Sequence, residues 1–123
     1  MKREEFEKAY LAIAKEAIEW SDFARYNGIL SLEDRIDVEK YEERDIFHYG
    51  MRFVVDGTDH DFLDNILTNI INQEKDEDEK TLKIVQKEAV LGIQDGDNPR
   101  VIAAKLGSYV DNKLAKATRK FCE

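Results

Sequence analysis

The sequence predicts an all-α fold, a compact antiparallel helical bundle of five or six helices in one domain over residues 1–123. Three observations carry the expectation. Apolar residues recur at steps of three and four along most of the chain, the period of a helix face. Charged residues make up 37% and proline occurs once, a mixture that favours helix over sheet. No segment shows a convincing alternation of strand type. At 42% hydrophobic residues in 123 positions, the chain can fill one core but not two.

The first helix is the plainest. From Glu4 to about Arg25 the apolar positions are Phe6, Tyr10, Ile13, Ala17, Trp20 and Ala24, separated largely by Glu and Lys. Asn27-Gly28 then supplies a residue able to end or bend it. Ser31 and Asp34 have capping-box spacing, which predicts a short helix over about Leu32 to Glu42. From Asp45 to Val55, the residues Ile46, Phe47, Met51 and Val54 share a helical face. The run Phe53-Val54-Val55 also suits a strand, but its flanks and length favour helix.

Asp56-Gly57 makes a turn, and Thr58 with Asp61 three residues later predicts a capped helix start. Phe62, Leu63, Ile66, Leu67, Ile70 and Ile71 follow as a wide apolar face, expected at the centre of the core. The charge run Glu74–Lys80 is a solvated connection or a polar helix extension. Leu82, Val85, Ala89 and Ile93 resume the helical period. Gly96 then ends one helix, Asn98 caps the next and Pro99 takes its first position. Ile102, Leu106, Tyr109, Val110, Leu114, Ala117 and Phe121 form the last stripe.

The net charge of -8 argues against nucleic acid or an anionic membrane surface as the main partner, since both repel it. Lys113, Lys116, Arg119 and Lys120 form a local basic cluster, read as the cationic last turn of a helix. No apolar run approaches the roughly 20 residues of a membrane span. The basic start Met1-Lys2-Arg3 is followed by Glu4-Glu5 rather than an apolar stretch, so no signal peptide is expected. The single cysteine, Cys122, has no internal disulfide partner, and the expected compartment is reducing and cytoplasmic.

Candidates for chemistry are few. His48 and His60 have no ligand partner at helical spacing. Asp56, Asp59, His60 and Asp61 match neither a calcium loop nor a zinc site, and turn and helix-start roles explain them. Cys122 lacks the His and Asn or Asp context of a nucleophile, and no phosphate-cradling glycine motif is present. No catalytic residue, cofactor or metal is expected.

Three stretches together resemble the cytoplasmic parts of the flagellar motor stator subunit MotA. They are ARYNGILSLE, FHYGMRFVVDGTDHDFLDNIL and EAVLGIQDGDNPRVIAAKLGSYV, in that family's order and over roughly Trp20–Ile71 and Gln86–Val110. The third is shared with related proton-driven subunits. The resemblance implies that Arg25, before the glycine, and Glu33, after it, are the charges that face the rotor's switch protein. They would act by attracting and repelling charges on a rotor helix, and exposed charges of this kind steer orientation and encounter. Without the resemblance, both read as ordinary helix-surface charges.

The departures bear on function. The family carries four membrane helices, two before the first stretch and two between the second and third. Here the second pair is replaced by the acidic connector around Glu74–Lys80. The resemblance therefore implies a module without proton conduction or torque of its own. Acidic positions frequent in the family after the Asp-Gly-Thr-Asp turn are here Ile70 and Ile71. Such a chain is either a natural membrane-free relative or an engineered one with the membrane helices removed. The connector is no glycine-serine linker and Met1 opens a well-formed amphipathic helix, which favours the natural form. The expected function is a protein-interaction module of the flagellar motor. The alternative is an oligomeric helical scaffold or regulatory protein, joined through an apolar face, that no longer serves torque generation.

Overall fold

The computed structural model describes all 123 residues. Seven α-helices and one 3₁₀ helix follow one another: α1 (Arg3–Asn27), the 3₁₀ helix (Ile29–Arg35), α2 (Val38–Glu42), α3 (Ile46–Val55), α4 (His60–Ile71), α5 (Glu77–Gln94), α6 (Pro99–Gly107) and α7 (Asn112–Lys120). The chain is thus all-α, with more and shorter helices than the five or six expected. None is long and apolar enough to cross a membrane.

The extra elements come from breaks at two places. The expected helix over Leu32–Glu42 is instead the 3₁₀ helix followed by α2. Ser31 does not cap it: its hydroxyl donates to Gly28 O, and the cap of α2 is Asp37, which accepts from the amides of Glu39 and Lys40. The last apolar stripe divides into α6 and α7 because Asp111 caps a new start by accepting from Leu114 N. Tyr109, between them, is exposed.

Aspartate is the chain's main punctuation. Asp37, Asp45, Asp59, Asp76 and Asp111 cap α2, α3, α4, α5 and α7, and Asn98 caps α6 with Pro99 following as anticipated. Each such cap is worth about 1 kcal/mol, so many of the acidic residues do structural work at helix starts. At α4 the cap lies one residue beyond the expected Thr58: Asp59 accepts from Asp61 N and Phe62 N. In the Glu74–Lys80 run, Asp76 caps α5 and residues from Glu77 onward form its first turn. Carboxylates there meet the positive end of the helix dipole.

Consecutive elements run up and down the molecule, but the two longest helices, α1 and α5, pack parallel. The Met1 amino group lies 3.8 Å from Asp78 at one end, while Ser21 Oγ donates to Asp97 O at the other. The return journey between α1 and α3 is made by the 3₁₀ helix and α2, and between α3 and α5 by α4.

The helix α5 is the one at the centre, packed against α1, α3, α4 and α6. By contrast α4 lies to one side, burying Leu63, Leu67 and Ile71 while Phe62 faces solvent. A broad apolar face on a helix is not proof of centrality. One core of 26 buried residues draws on α1 and α3 to α7 and on Leu32 of the 3₁₀ helix. Close approach to α5 depends on glycine: at Gly50 a Cβ would stand 3.0 Å from both methyl groups of Val90.

One buried polar pair fastens the first helix to the last. Tyr10 and Thr118 are both fully buried, with their hydroxyl oxygens 2.7 Å apart, and Thr118 also donates to Leu114 O at 2.7 Å. Thr118 has one proton, which goes to Leu114; Tyr10 must therefore be the donor between them. Burial raises the Tyr10 pKa above that of an ordinary phenol, which the Thr118 bond only partly offsets.

Candidate functional site

The C-termini of α1, α3, α5 and α7 and the N-termini of α4 and α6 meet at one end of the bundle. Two of the helices close there with glycines at positive φ. Gly57 (φ 80°) and Gly96 (φ 76°) each let the following amide reach back, Thr58 N to Phe53 O and Asp97 N to Gly92 O, both at 3.0 Å. An L-residue with a Cβ is strained in that conformation. The sharp reversals that result set the α3–α4 turn and the α5–α6 loop side by side.

Hydrogen bonds then join the end of α1, the α3–α4 turn and the α5–α6 loop. Gln94 Nε2 donates to Thr58 O at 2.7 Å, tying the α5–α6 loop to the α3–α4 turn. Ser21 Oγ donates to Asp97 O at 2.9 Å and Arg25 Nη1 to Gly96 O at 3.1 Å, tying α1 to the same loop. Asp97 also accepts from Lys105, and this bond raises the Lys105 pKa. Residues that are 71 and 76 positions apart in sequence thus share one surface.

Arg25 and Glu33 are both exposed at this end. Arg25 stands in the last turn of α1, where a cation suits the dipole, and its guanidinium is steadied by the Gly96 carbonyl. Gly28 (φ 87°) breaks the helix behind it and turns the chain into the 3₁₀ helix that carries Glu33. The structure does not pair the two charges with each other. Glu33 Oε1 instead accepts from Arg52 Nη2 at 3.2 Å, and the same guanidinium nitrogen reaches Asp56 at 2.8 Å. The Asp56 bond, first, and Glu33 both push the Arg52 pKa upward. The Glu33 carboxylate is still 58% exposed, and a surface pair of this kind contributes about 0–1 kcal/mol, so a competing cation meets little resistance.

Arg52 was invisible as a site residue in the sequence, because nothing in its spacing announces a bond to position 33. The acidic turn residues have local partners: Asp59 caps α4, Asp56 meets Arg52, and His60 lies 3.4 Å from both Asp61 and Asp95. Cys122 is half-buried, its thiol directed to Pro99 O and its pKa raised by burial. A thiol held in its protonated form is a poor nucleophile.

The other histidine, His48, is buried beside Trp20. Its Nδ1 accepts from Asp37 N at 3.0 Å and its Nε2 faces Glu16 at 3.5 Å. That bond anchors the start of α2, so His48 holds the connector rather than the exposed end. No family model matches the chain, and neither does any curated protein or solved structure.

Proposed function

We propose that this chain is a soluble, cytoplasmic, MotA-like interaction module of the bacterial flagellar motor. It would have no enzymatic activity and no proton conduction of its own. Its exposed end, with Arg25 and Glu33, is the surface offered to the rotor switch protein. The observation that carries this reading is the joining of the three MotA-like stretches at that end, through bonds from Arg25, Ser21 and Gln94. Hydrogen-bonded loops at helix ends give a rigid platform, and exposed charges on such a platform steer encounter and orientation.

The test is capture of this chain by the switch protein's C-terminal domain, comparing the native chain with Arg25→Glu, Glu33→Arg and the double reversal. The double reversal is expected to weaken binding by roughly tenfold or more, since both contacts become repulsive. Unchanged capture would remove Arg25 and Glu33 from the interface.

A scaffold built from copies of this chain is favoured by a different feature of the same end. Tyr26, Leu30, Phe62 and Val101 are large apolar residues exposed there, Tyr26 at 84%. Sedimentation velocity separates the readings: a monomer at high concentration counts against the scaffold, and a concentration-dependent dimer lost on Phe62→Ser supports it.

A further inference from the structure

The seven arginines of this chain divide sharply by environment. Arg3 and Arg52 hold carboxylates, while Arg35 and Arg44 lie over the rings of Phe23 and Tyr49. Arg25, Arg100 and Arg119 have neither a carboxylate within salt-bridge distance nor an aromatic ring beneath them. All three line two adjoining concavities that share Arg100 and Cys122. One is an open cleft of about 600 Å³ with Asp22, Tyr26 and Asn98 on its walls, the other a smaller hollow of about 340 Å³ reaching Arg119 and Glu123.

We infer that this cleft is a docking site for an acidic segment of a protein partner, with Arg25, Arg100 and Arg119 receiving its carboxylates and Tyr26 its apolar side chains. Each guanidinium offers a planar fork that matches a carboxylate in bidentate fashion. The start of α6, beside Arg100, adds the positive end of a helix dipole. The occupant is a protein segment rather than a small anion because Tyr26 projects from the same wall, exposed over most of its surface. Arginine and tyrosine together are the residues that most often dominate protein interfaces. Asp22 and Glu123, on the same walls, sit outside salt-bridge distance of the three arginines.

The inference rests on reading the chain as a protein-binding module. It deepens that reading by placing Arg25 in a set with Arg100 and Arg119, and it adds acidity as the partner's chemistry. Arg100 and Arg119 are exposed, so reversing them leaves the core intact, which circular dichroism and the melting curve will verify.

The test has two arms. In the first, the arginine Nε–H resonances of the full chain are followed by NMR during titration with a decaglutamate peptide and, separately, with inorganic phosphate. Saturable shifts concentrated on Arg25, Arg100 and Arg119 with the peptide are expected, lost in Arg100→Glu/Arg119→Glu and weakened by salt. Shifts spread over the lysines, or phosphate binding as tightly as the peptide, would overturn the inference.

In the second arm, the switch protein's C-terminal domain is titrated against the native chain and against Arg100→Glu/Arg119→Glu. A loss of about tenfold is expected. Equal affinity for both chains overturns the cleft and leaves the motor reading intact. No binding to the switch domain, with peptide shifts still on the three arginines, overturns the motor reading and supports the cleft.

Discussion

Replacing Thr118 with valine tests the join between the first and last helices most sharply. Valine keeps the shape of threonine but removes its hydroxyl, so the change isolates one polar atom. Thr118 gives its proton to Leu114 O and accepts one from Tyr10. In Thr118→Val the Tyr10 hydroxyl is left as a buried donor with no acceptor, at a cost of about 1–3 kcal/mol. In Tyr10→Phe the donor itself goes, and Thr118 keeps its bond to Leu114, so the expected cost is nearer 1 kcal/mol.

The double variant should therefore lose less than the sum of the two, with a coupling of about 1 kcal/mol. In a chain of 123 residues, each kcal/mol lowers Tm by roughly 4 °C. Urea unfolding of the four proteins, followed by far-UV circular dichroism, measures all three quantities. The reasoning is refuted if Thr118→Val costs less than Tyr10→Phe, or if the two effects simply add. Either result would mean that α7 is not fastened to α1 at this point.

Three further perturbations have defined outcomes. Asn98→Ala removes the cap of α6 and the bond to Val101 N, and should destabilise by about 1 kcal/mol in the same unfolding assay. Gly96→Ala meets open space but keeps a φ of 76°; the strain should cost roughly 1–2 kcal/mol, and hydrogen exchange at Asp97 should quicken. Asp64 has its pKa lowered, chiefly by its bond to Lys87. Its contribution is therefore present above the ordinary carboxylate pKa and lost as pH falls through the lowered value. Since the carboxylate is partly exposed, Asp64→Asn should cost only about 0.3–0.5 kcal/mol at neutral pH, and nothing once both chains are measured in strong acid.

The parts of this fold that were legible in the sequence are those set by periodicity and by unmistakable punctuation. Phe6, Tyr10, Ala17, Trp20 and Ala24 lie buried on one face of α1, and the Gly96-Asn98-Pro99 break falls where it was read. What failed were judgements that need tertiary context. Asp111 looks like any surface aspartate until a helix begins behind it, so one stripe was read through a chain reversal. Ser31 has capping spacing, yet Gly28 O is nearer to hand for its hydroxyl, and a 3₁₀ helix forms instead. Phe62 belongs to an apolar face by periodicity, but α4 sits at the edge and the ring points outward.

The candidate site was legible only as two residues. Arg25 and Glu33 came from resemblance, while their surroundings came from contacts across the chain. No spacing rule ties position 33 to Arg52, position 25 to Gly96, or position 94 to Thr58. The gathering of Arg25, Arg100 and Arg119 along adjoining hollows is likewise a property of packing. A count of charges reports -8 for the whole chain and says nothing of three arginines brought to adjoining hollows.

Hydrogen exchange of the chain with and without the switch protein's C-terminal domain tests the proposed interface most directly, because it locates contact rather than merely detecting it. Slowed exchange is expected in the segment from Arg25 to Glu33 and in the loop from Asp95 to Val101, with the Met1 end and the Asp76–Lys80 turn unchanged. Protection confined to the Met1 end, or none at saturating switch domain, would contradict the assignment of that exposed end as the rotor-facing surface.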